Sequence, residues 1–260
     1  MINQQAYLEV MAAKFRVADM KPIWIPMEPS MALELKGDGD PAEVPYQEVV
    51  GHVLWPVMVT CPDILFAVSA LVQFTQNLAV VHWKAIKWVM IYLYTMRSRW
   101  LTFGGASREV MGYCDADWGL QMDRHSILGY VFTCGIGAVM WSSKQQPIIA
   151  LLSTEAEYIA MTHTTKEACW FQTFLAEITG LPAITLPLRG NNQSAITLAK
   201  DNKFHTRMKH IDICYHFICK AIETAKILLD YMPTDKNIAD GLTKALPQAK
   251  FEIFAQLIGL

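Results

Sequence analysis

The stretch that decides the fold begins with GYCDADW at residues 112–118 and ends with LLSTEAEY at residues 151–158. Two short runs rich in β-forming residues lie between these segments, at 129–134 and 137–143. The pattern predicts a strand that carries Asp115, two further antiparallel strands, and a helix that carries Glu157. Such an arrangement can bring two carboxylates to one end of a sheet, where their hard oxygen atoms suit Mg²⁺ or Mn²⁺.

The remainder of the second half alternates between helical and extended patterns. We predict helices at 154–179, 193–200, 209–225, 237–246 and 248–258, strands at 183–188 and 227–232, and a strand pair around Gly104 and Gly105. The order of strands and helices indicates an α/β (α+β) fold, in which a mixed sheet is flanked by helices.

The first hundred residues form a smaller α-helical segment. Helical spacing of apolar residues is found at 3–15, from 46 onward, at 62–74 and at 81–96, and a polar stretch at 30–45 reads as a loop or linker. We interpret its many aromatic residues as packing between helices, and the segment carries no polar site of its own.

Three further motifs follow the first stretch in a fixed order: GNNQSAI at 190–196, KHIDICYHFI at 209–218 and IADGLTKAL at 238–246. Together with residues 112–158 they resemble the ribonuclease H region of copia-type retrotransposon Pol polyproteins. Residues 1–100 are similar to the thumb or connection segment that joins reverse transcriptase to ribonuclease H in the C-terminal part of these polyproteins. The resemblance implies a ribonuclease H-like mixed five-stranded sheet over residues 101–260.

The resemblance also implies a chemistry, which is hydrolysis of the RNA strand of an RNA–DNA hybrid with two bound divalent ions, Mg²⁺ or Mn²⁺. It places the site at Asp115, Glu157, Asn191 and Asp240. Of these, Asp115, Glu157 and Asp240 would be the metal ligands.

Asn191 departs from the family pattern, which has an aspartate at this position. An amide oxygen can touch a metal ion but carries no charge, so the substitution predicts weak metal binding and slow cleavage. The alternative is a catalytically inactive module that binds nucleic acid or another protein, either domesticated or a relic of the element.

Each site residue also has an interpretation without metal. Asp115 could lie on the surface at the end of its strand, and Asp117 points to the same face by strand period. Glu157 could complete a capping box that starts at Thr154. Asp240 could be an ordinary acid in the first turn of a helix.

A zinc site is a further alternative, because several thiol and imidazole groups lie within fifteen residues. They are His205, His210, Cys214, His216 and Cys219. His210 and Cys214 are four residues apart and would share a helical face, whereas the other groups would fall on other faces. We therefore favour a helix packed on the sheet.

The composition further narrows the possible classes of protein. The chain has 260 residues, a formal charge of −2 and six cysteines, and none of the cysteines forms a CxxC pair. We expect reduced thiols and an intracellular location, cytoplasmic or nuclear, with no membrane span.

The sequence has no Tyr-x-Asp-Asp run, so we expect no polymerase activity. The expected partners are an RNA–DNA hybrid and an upstream reverse transcriptase polymerase region.

Overall fold

The fold of the protein, seen in a computed structural model, is described for residues 1–31, 33, 44–105, 109–119, 124–200 and 212–260. Its α-helices are α1 (Gln5–Lys14), α2 (Tyr46–Val59), α3 (Leu65–Val72), α4 (Val80–Thr95), α5 (Ser153–Thr179), α6 (Gln193–Lys200), α7 (Asp212–Glu223) and α8 (Gln248–Leu257). Its strands are β1 (Val110–Asp117), β2 (Ile127–Cys134), β3 (Gly137–Gln145), β4 (Leu186–Gly190) and β5 (Ile227–Tyr231). Short 3-10 helices cover Pro62–Ile64, Thr234–Lys236 and Ile238–Leu242.

The chain divides into two compact units. The first contains residues 1–105, 136–138 and 244–260, and the second contains residues 106–135 and 139–243. Residues 244–260, the closing segment, lie within the predicted sheet domain 101–260, but the structure groups them with the N-terminal helices. The identity of 1–100 as a thumb or connection segment stays a prediction.

A mixed five-stranded sheet forms the frame of the second unit. The strand order is β3-β2-β1-β4-β5. β1 pairs antiparallel with β2, and β4 runs parallel to both β1 and β5. The predicted fold class, a ribonuclease H-like mixed sheet flanked by helices, is thereby confirmed.

The core of the second unit lies between one face of this sheet and α5. Val110 and Cys114 of β1 face this core, together with Phe171 of α5. Because strand side chains alternate between faces, Asp115 and Asp117 lie on the other face. Gly112 sits between Leu188 and Phe132, where the added Cβ of any other residue would lie 2.3 Å from Leu188 Cδ2. The absence of a side chain at this position therefore allows β1 and β4 to pack closely.

The first unit is built from helices around a separate core. Its last helix, α8, contributes Phe251, whose ring meets the ring of Tyr92 edge to face with centroids 5.7 Å apart. Tyr92 also donates its hydroxyl proton to the buried carboxylate of Asp63. Phe251 joins the closing segment to this unit through an ordinary aromatic contact. Over the described ranges, no helix combines the length and the apolar character needed to cross a membrane.

Three local predictions were wrong. The segment predicted as a helix at 237–246 contains the shorter 3-10 helix Ile238–Leu242. Of the strand pair predicted around Gly104 and Gly105, the second strand is present as β1, but the first is reduced to an isolated bridge between Leu101 and Ile2, and both glycines adopt positive φ. β4 begins later than predicted. In the two strand cases the pairing partners lie far away in the sequence, since Leu101 pairs with Ile2 and β4 pairs with β5.

We expect the substitution Gly112→Ala to destabilise the second unit, because the new Cβ would also lie 2.8 Å from Phe132 Cε1. Overpacking of this kind costs about 1–3 kcal/mol. The matched control is Gly51→Ala in α2, where no described atom lies within 4 Å of the new Cβ. There the change should stabilise the helix by about 0.5–1 kcal/mol. Urea unfolding measures both values, and wild-type stability of Gly112→Ala would contradict the expectation.

Stability should also depend on the protonation of Asp63. Burial raises the pKa of this carboxyl above its ordinary value, although Tyr92 and Arg99 act in the opposite direction. The folded state therefore binds the proton more tightly than the unfolded chain does. The tighter proton binding adds to the free energy of unfolding. This added stability is fully present below the pKa of Asp63 in the unfolded chain and is lost as the pH rises through its pKa in the folded state.

We expect Asp63→Asn to lose less stability than the wild type when the pH rises from about 4 to about 7, because the substitution removes the titrating group. Urea unfolding at both pH values is the measurement. Asp235→Asn, which removes an exposed carboxylate, is the control. An identical pH dependence of Asp63→Asn and the wild type would contradict the role of Asp63.

Candidate active site

Three chain segments meet at the carboxylate of Asp115, near the end of β1. Asn191, the residue directly after β4, donates from its side-chain Nδ2 to Asp115 Oδ1 at 2.8 Å. Thr243, which follows the 3-10 helix Ile238–Leu242, donates from Oγ1 to Asp115 Oδ2 at 2.5 Å. We call these three residues the Asp115 clasp. Asp115 is 2% exposed, so the interpretation of this residue as a surface aspartate is wrong.

The parallel pairing of β1 and β4 explains why Asn191 reaches Asp115. Gly112 is paired with Leu188 and Tyr113 with Arg189, so the register continues toward Asp115 and Asn191. The carboxyl ends of parallel neighbours lie at the same edge of a sheet. Residues 76 positions apart in the sequence therefore come into hydrogen-bond contact.

The 3-10 helix is held against the sheet by Asn237. The side-chain Nδ2 of Asn237 donates to the carbonyl of Cys114 at 2.9 Å, and its Oδ1 accepts from the Ala239 amide at 3.2 Å. Gly129 on β2 makes room for this approach, because a Cβ there would lie 2.8 Å from Thr243 Cγ2. The sequence motif at 238–246 is thereby docked beside the strand that carries Asp115.

Glu157 lies near the same strand. It is 8% exposed and sits in the second turn of α5. Burial raises the pKa of the Cys114 thiol, and the negative charges of Glu157 and Asp115 raise it further. Both carboxylates therefore act electrostatically on one buried thiol, Cys114.

The capping-box interpretation of Glu157 is wrong. Helix α5 begins at Ser153, and among the described residues no side chain caps its start. Glu155 is the acid that accepts a backbone proton at this end, from the Leu151 amide at 2.8 Å. Glu157 itself is buried.

Asp240 is half-buried and is an acid in the first turn of a helix, as the interpretation without metal has it, although that helix is the 3-10 helix Ile238–Leu242. Its carbonyl lies 3.2 Å from Thr243 Oγ1, the hydroxyl that reaches Asp115. Asp117, the rival on the same face of β1, is also half-buried. The structure brings Asp115 and Asn191 into direct contact and connects the segment of Asp240 to them through Thr243.

Sequence reasoning missed Thr243 and Asn237. Thr243 lies inside the motif at 238–246, three residues after Asp240, and is fully buried. Asn237 directly precedes the same motif and is also buried. Buried polar residues of this kind usually satisfy partners far away in the sequence, and no local periodicity identifies those partners.

The donor set does not fit a two-ion centre as it stands. Within the described ranges, no group of three or more His, Cys, Asp or Glu side chains is arranged to hold a metal ion. Both oxygens of Asp115 accept protons from protein donors. Asn191 turns its amide nitrogen toward Asp115, and among the described residues its buried Oδ1 has no partner.

The orientation of the Asn191 amide follows from electrostatics. The nitrogen and oxygen of an amide are distinguished by their hydrogen-bond partners. The reversed amide would place its oxygen against an Asp115 oxygen, with no proton between them. The observed orientation supplies a proton to the carboxylate.

The zinc alternative gains no support from the part of the cluster that is described. Cys219 is buried and donates its thiol proton to the Ala199 carbonyl at 3.4 Å. His216 is exposed on α7. His205 and His210 lie outside the described residues, as does the side chain of Cys214.

Comparison with known proteins gives relatives over the whole chain. It is 38% identical to the retrovirus-related Pol polyprotein from transposon TNT 1-94 of Nicotiana tabacum, over 100% of this chain and 20% of the relative. It is 33% identical to the Pol polyprotein from transposon RE1 of Arabidopsis thaliana, over 100% of this chain and 18% of the relative. The chain thus spans about a fifth of the length of each of these two relatives.

Among solved structures, the chain is similar to LC11 ribonuclease H1, which was isolated from compost by a metagenomic approach. The identity is 16%, the TM-score is 0.40, and the match covers 52% of this chain and 92% of that chain. No protein-family model matches the chain.

Proposed function

The chain belongs to the copia-type retrotransposon Pol polyproteins, and we propose that its sheet-bearing unit is a ribonuclease H-type domain that engages RNA–DNA hybrids but cleaves their RNA strand slowly. The observation that carries this proposal is the contact between Asn191 and Asp115. A carboxylate at this position would have been the partner for a shared cation, whereas the amide is a hydrogen-bond donor.

The loss of one charge is large enough to matter. At an effective dielectric constant near 20, a unit charge pair 4 Å apart interacts by about 4 kcal/mol. About 1.4 kcal/mol already changes occupancy tenfold, so even a third of that attraction is sufficient. We expect Asp115, Glu157 and Asp240 to remain the acids of the site, with Mg²⁺ or Mn²⁺ binding weakly beside them.

The alternative is a module that binds hybrids without cleaving them. The two hydrogen bonds to Asp115 favour this alternative, because both oxygens of the carboxylate already accept from protein donors. The two candidates differ in one measurable property. Only the nuclease turns over, for which it needs a divalent ion, whereas both candidates retain the hybrid without the ion.

We propose a surface for the hybrid around His163. Burial lowers the pKa of His163, and the positive charges of Lys166 and Lys144 lower it further, while the negative charge of Glu167 acts in the opposite direction. Lys144 lies on β3 and Lys166 on α5, and both are exposed. We call these three residues the His163 patch. The two lysine side chains would contact the phosphate backbone of the hybrid. Binding through phosphates depends on the salt concentration rather than on the base sequence.

The helical residues 1–100 would then serve as the thumb or connection segment next to a reverse transcriptase polymerase region. This part of the proposal rests on relatives that are Pol polyproteins, of which the chain spans about a fifth. We expect the protein to act where such complexes assemble, in the cytoplasm or the nucleus.

We expect Asn191→Asp to cleave an RNA–DNA hybrid at least about tenfold faster than the wild type in Mg²⁺, because it restores a charge beside Asp115. The measurement is release of labelled RNA fragments from a hybrid. The matched control is Asn192→Asp, which adds the same charge one residue away. It also keeps the oxygen that accepts from the Ala195 amide at 3.0 Å.

Asn192→Asp should remain at the wild-type rate, and Asp115→Asn in the Asn191→Asp background should abolish the gain. Equal and fast cleavage by the wild type and Asn191→Asp would show that the amide suffices for catalysis. Such a result would overturn the slow-cleavage proposal.

We also expect the wild type to bind the hybrid in EDTA with an affinity that falls as salt rises. Lys144→Gln should reduce the slope of log K against log salt by about one, since one phosphate contact is lost. Lys250→Gln, which removes an exposed lysine from α8, should leave the slope unchanged. Fluorescence anisotropy of a labelled hybrid measures the affinity and its salt dependence for each variant. The absence of binding in EDTA would favour a protein-interaction role.

A further inference from the structure

We propose that Thr243 is a positioning residue that, with Asn191, holds Asp115 by hydrogen bonds in the place of a divalent cation, so that this edge of the sheet folds without a cation. The inference rests on the proposed function for the identity of the site. It adds a residue that the family resemblance does not assign, and a consequence for stability that can be measured without substrate.

Asp115 needs partners because it is a buried acid. Burying an unpaired carboxylate is costly, and charge-assisted hydrogen bonds are the strong way to offset that cost. Oδ1 accepts from Asn191 and Oδ2 accepts from Thr243, so each oxygen has a donor from a different downstream segment. The donors come from segments 76 and 128 residues away. The clasp therefore joins three segments at one carboxylate.

Thr243 suits this task through both branches of its side chain. Its hydroxyl has one proton, which it donates to Asp115 Oδ2 at 2.5 Å, the shorter of its two contacts. Its methyl carbon Cγ2 packs over Gly129, which has no side chain to displace it. The packing of the methyl group selects the rotamer, and the rotamer aims the hydroxyl at the carboxylate.

Asn191 completes the clasp through its side-chain nitrogen, while its side-chain oxygen, which is buried, makes no hydrogen bond within the described residues. An aspartate in this place would bring two carboxylate oxygens together with no proton between them. That arrangement requires a cation or a shared proton, whereas the native arrangement requires neither.

The test is thermal unfolding of the full chain in EDTA and in Mg²⁺, for the wild type and the variants Asn191→Asp, Asn192→Asp, Thr243→Val and Thr243→Ser. The wild type should melt at the same temperature in both solutions. Asn191→Asp should melt about 5 °C lower in EDTA and recover in Mg²⁺, as expected for the loss of one charge-assisted hydrogen bond in a chain of this size. Asn192→Asp should behave like the wild type.

The two Thr243 variants separate the hydroxyl from the shape of the side chain. Thr243→Val keeps the branched shape but removes the donor, so it should melt about 5 °C lower in both solutions. Thr243→Ser keeps the donor and should restore most of that loss. The Asn191 side-chain NH₂ signals in a ¹H–¹⁵N spectrum provide a second readout. They should stay unchanged on addition of Mg²⁺ to the wild type and should shift in Thr243→Val.

Two results would overturn the clasp: a rise in the wild-type melting temperature with Mg²⁺ comparable to that of Asn191→Asp, or identical melting of Thr243→Val and Thr243→Ser. Failure of the proposed function has a different signature. If Asn191→Asp neither binds nor cleaves hybrids, the function is wrong, and the melting data still decide the clasp. If it cleaves hybrids while the wild type is stabilised by Mg²⁺, the function stands and the clasp is wrong.

Discussion

The buried carboxylate of Asp115 is the group on which the sheet-bearing unit depends. A carboxylate that is only 2% exposed needs hydrogen-bond donors, and two of its donors, Asn191 and Thr243, lie on segments far along the chain. The parallel pairing of β1 with β4 delivers Asn191. The bare backbone at Gly129 lets Thr243 approach β2. Satisfying one charge thus ties the first strand, the fourth strand and the late motif together.

Asn191 shows how far a single functional group can redirect a site without disturbing the fold around it. Asparagine and aspartate occupy nearly the same volume, so β4 and the start of α6 are compatible with either residue. They differ in charge and in the presence of N–H donors. An aspartate beside Asp115 needs a positive ion or a shared proton to offset the repulsion, whereas an asparagine donates an N–H proton of its own. The surrounding acids, Glu157 and Asp240, can keep their places in both cases.

The glycine positions have different physical roles. Gly112 lets β1 approach Leu188 of β4, and Gly129 lets the 3-10 helix lie on β2. Neither position has a positive φ, so backbone conformation is not the reason for glycine. The requirement is space, and it is imposed by elements that are distant in the sequence. A site assembled from three segments needs such openings, because each segment must approach within hydrogen-bond distance.

The sequence by itself determined the elements, because period and turn residues are local properties. The run at 112–158 predicted β1, β2, β3 and α5, and the structure confirms these elements within a few residues. The motif resemblance placed Asn191 in the site, and the contact with Asp115 agrees with that placement. The metal-ligand roles of Asp115, Glu157 and Asp240 stay predictions.

Only the tertiary structure decided which groups satisfy one another. Thr243, Asn237 and the association of α8 with the N-terminal unit all depend on partners far away in the sequence. The 3-10 helix Ile238–Leu242 likewise stays short where local periodicity predicted a longer helix. A hydrogen bond to a buried charge is a pairwise property of two distant positions, and no spacing within either segment encodes it.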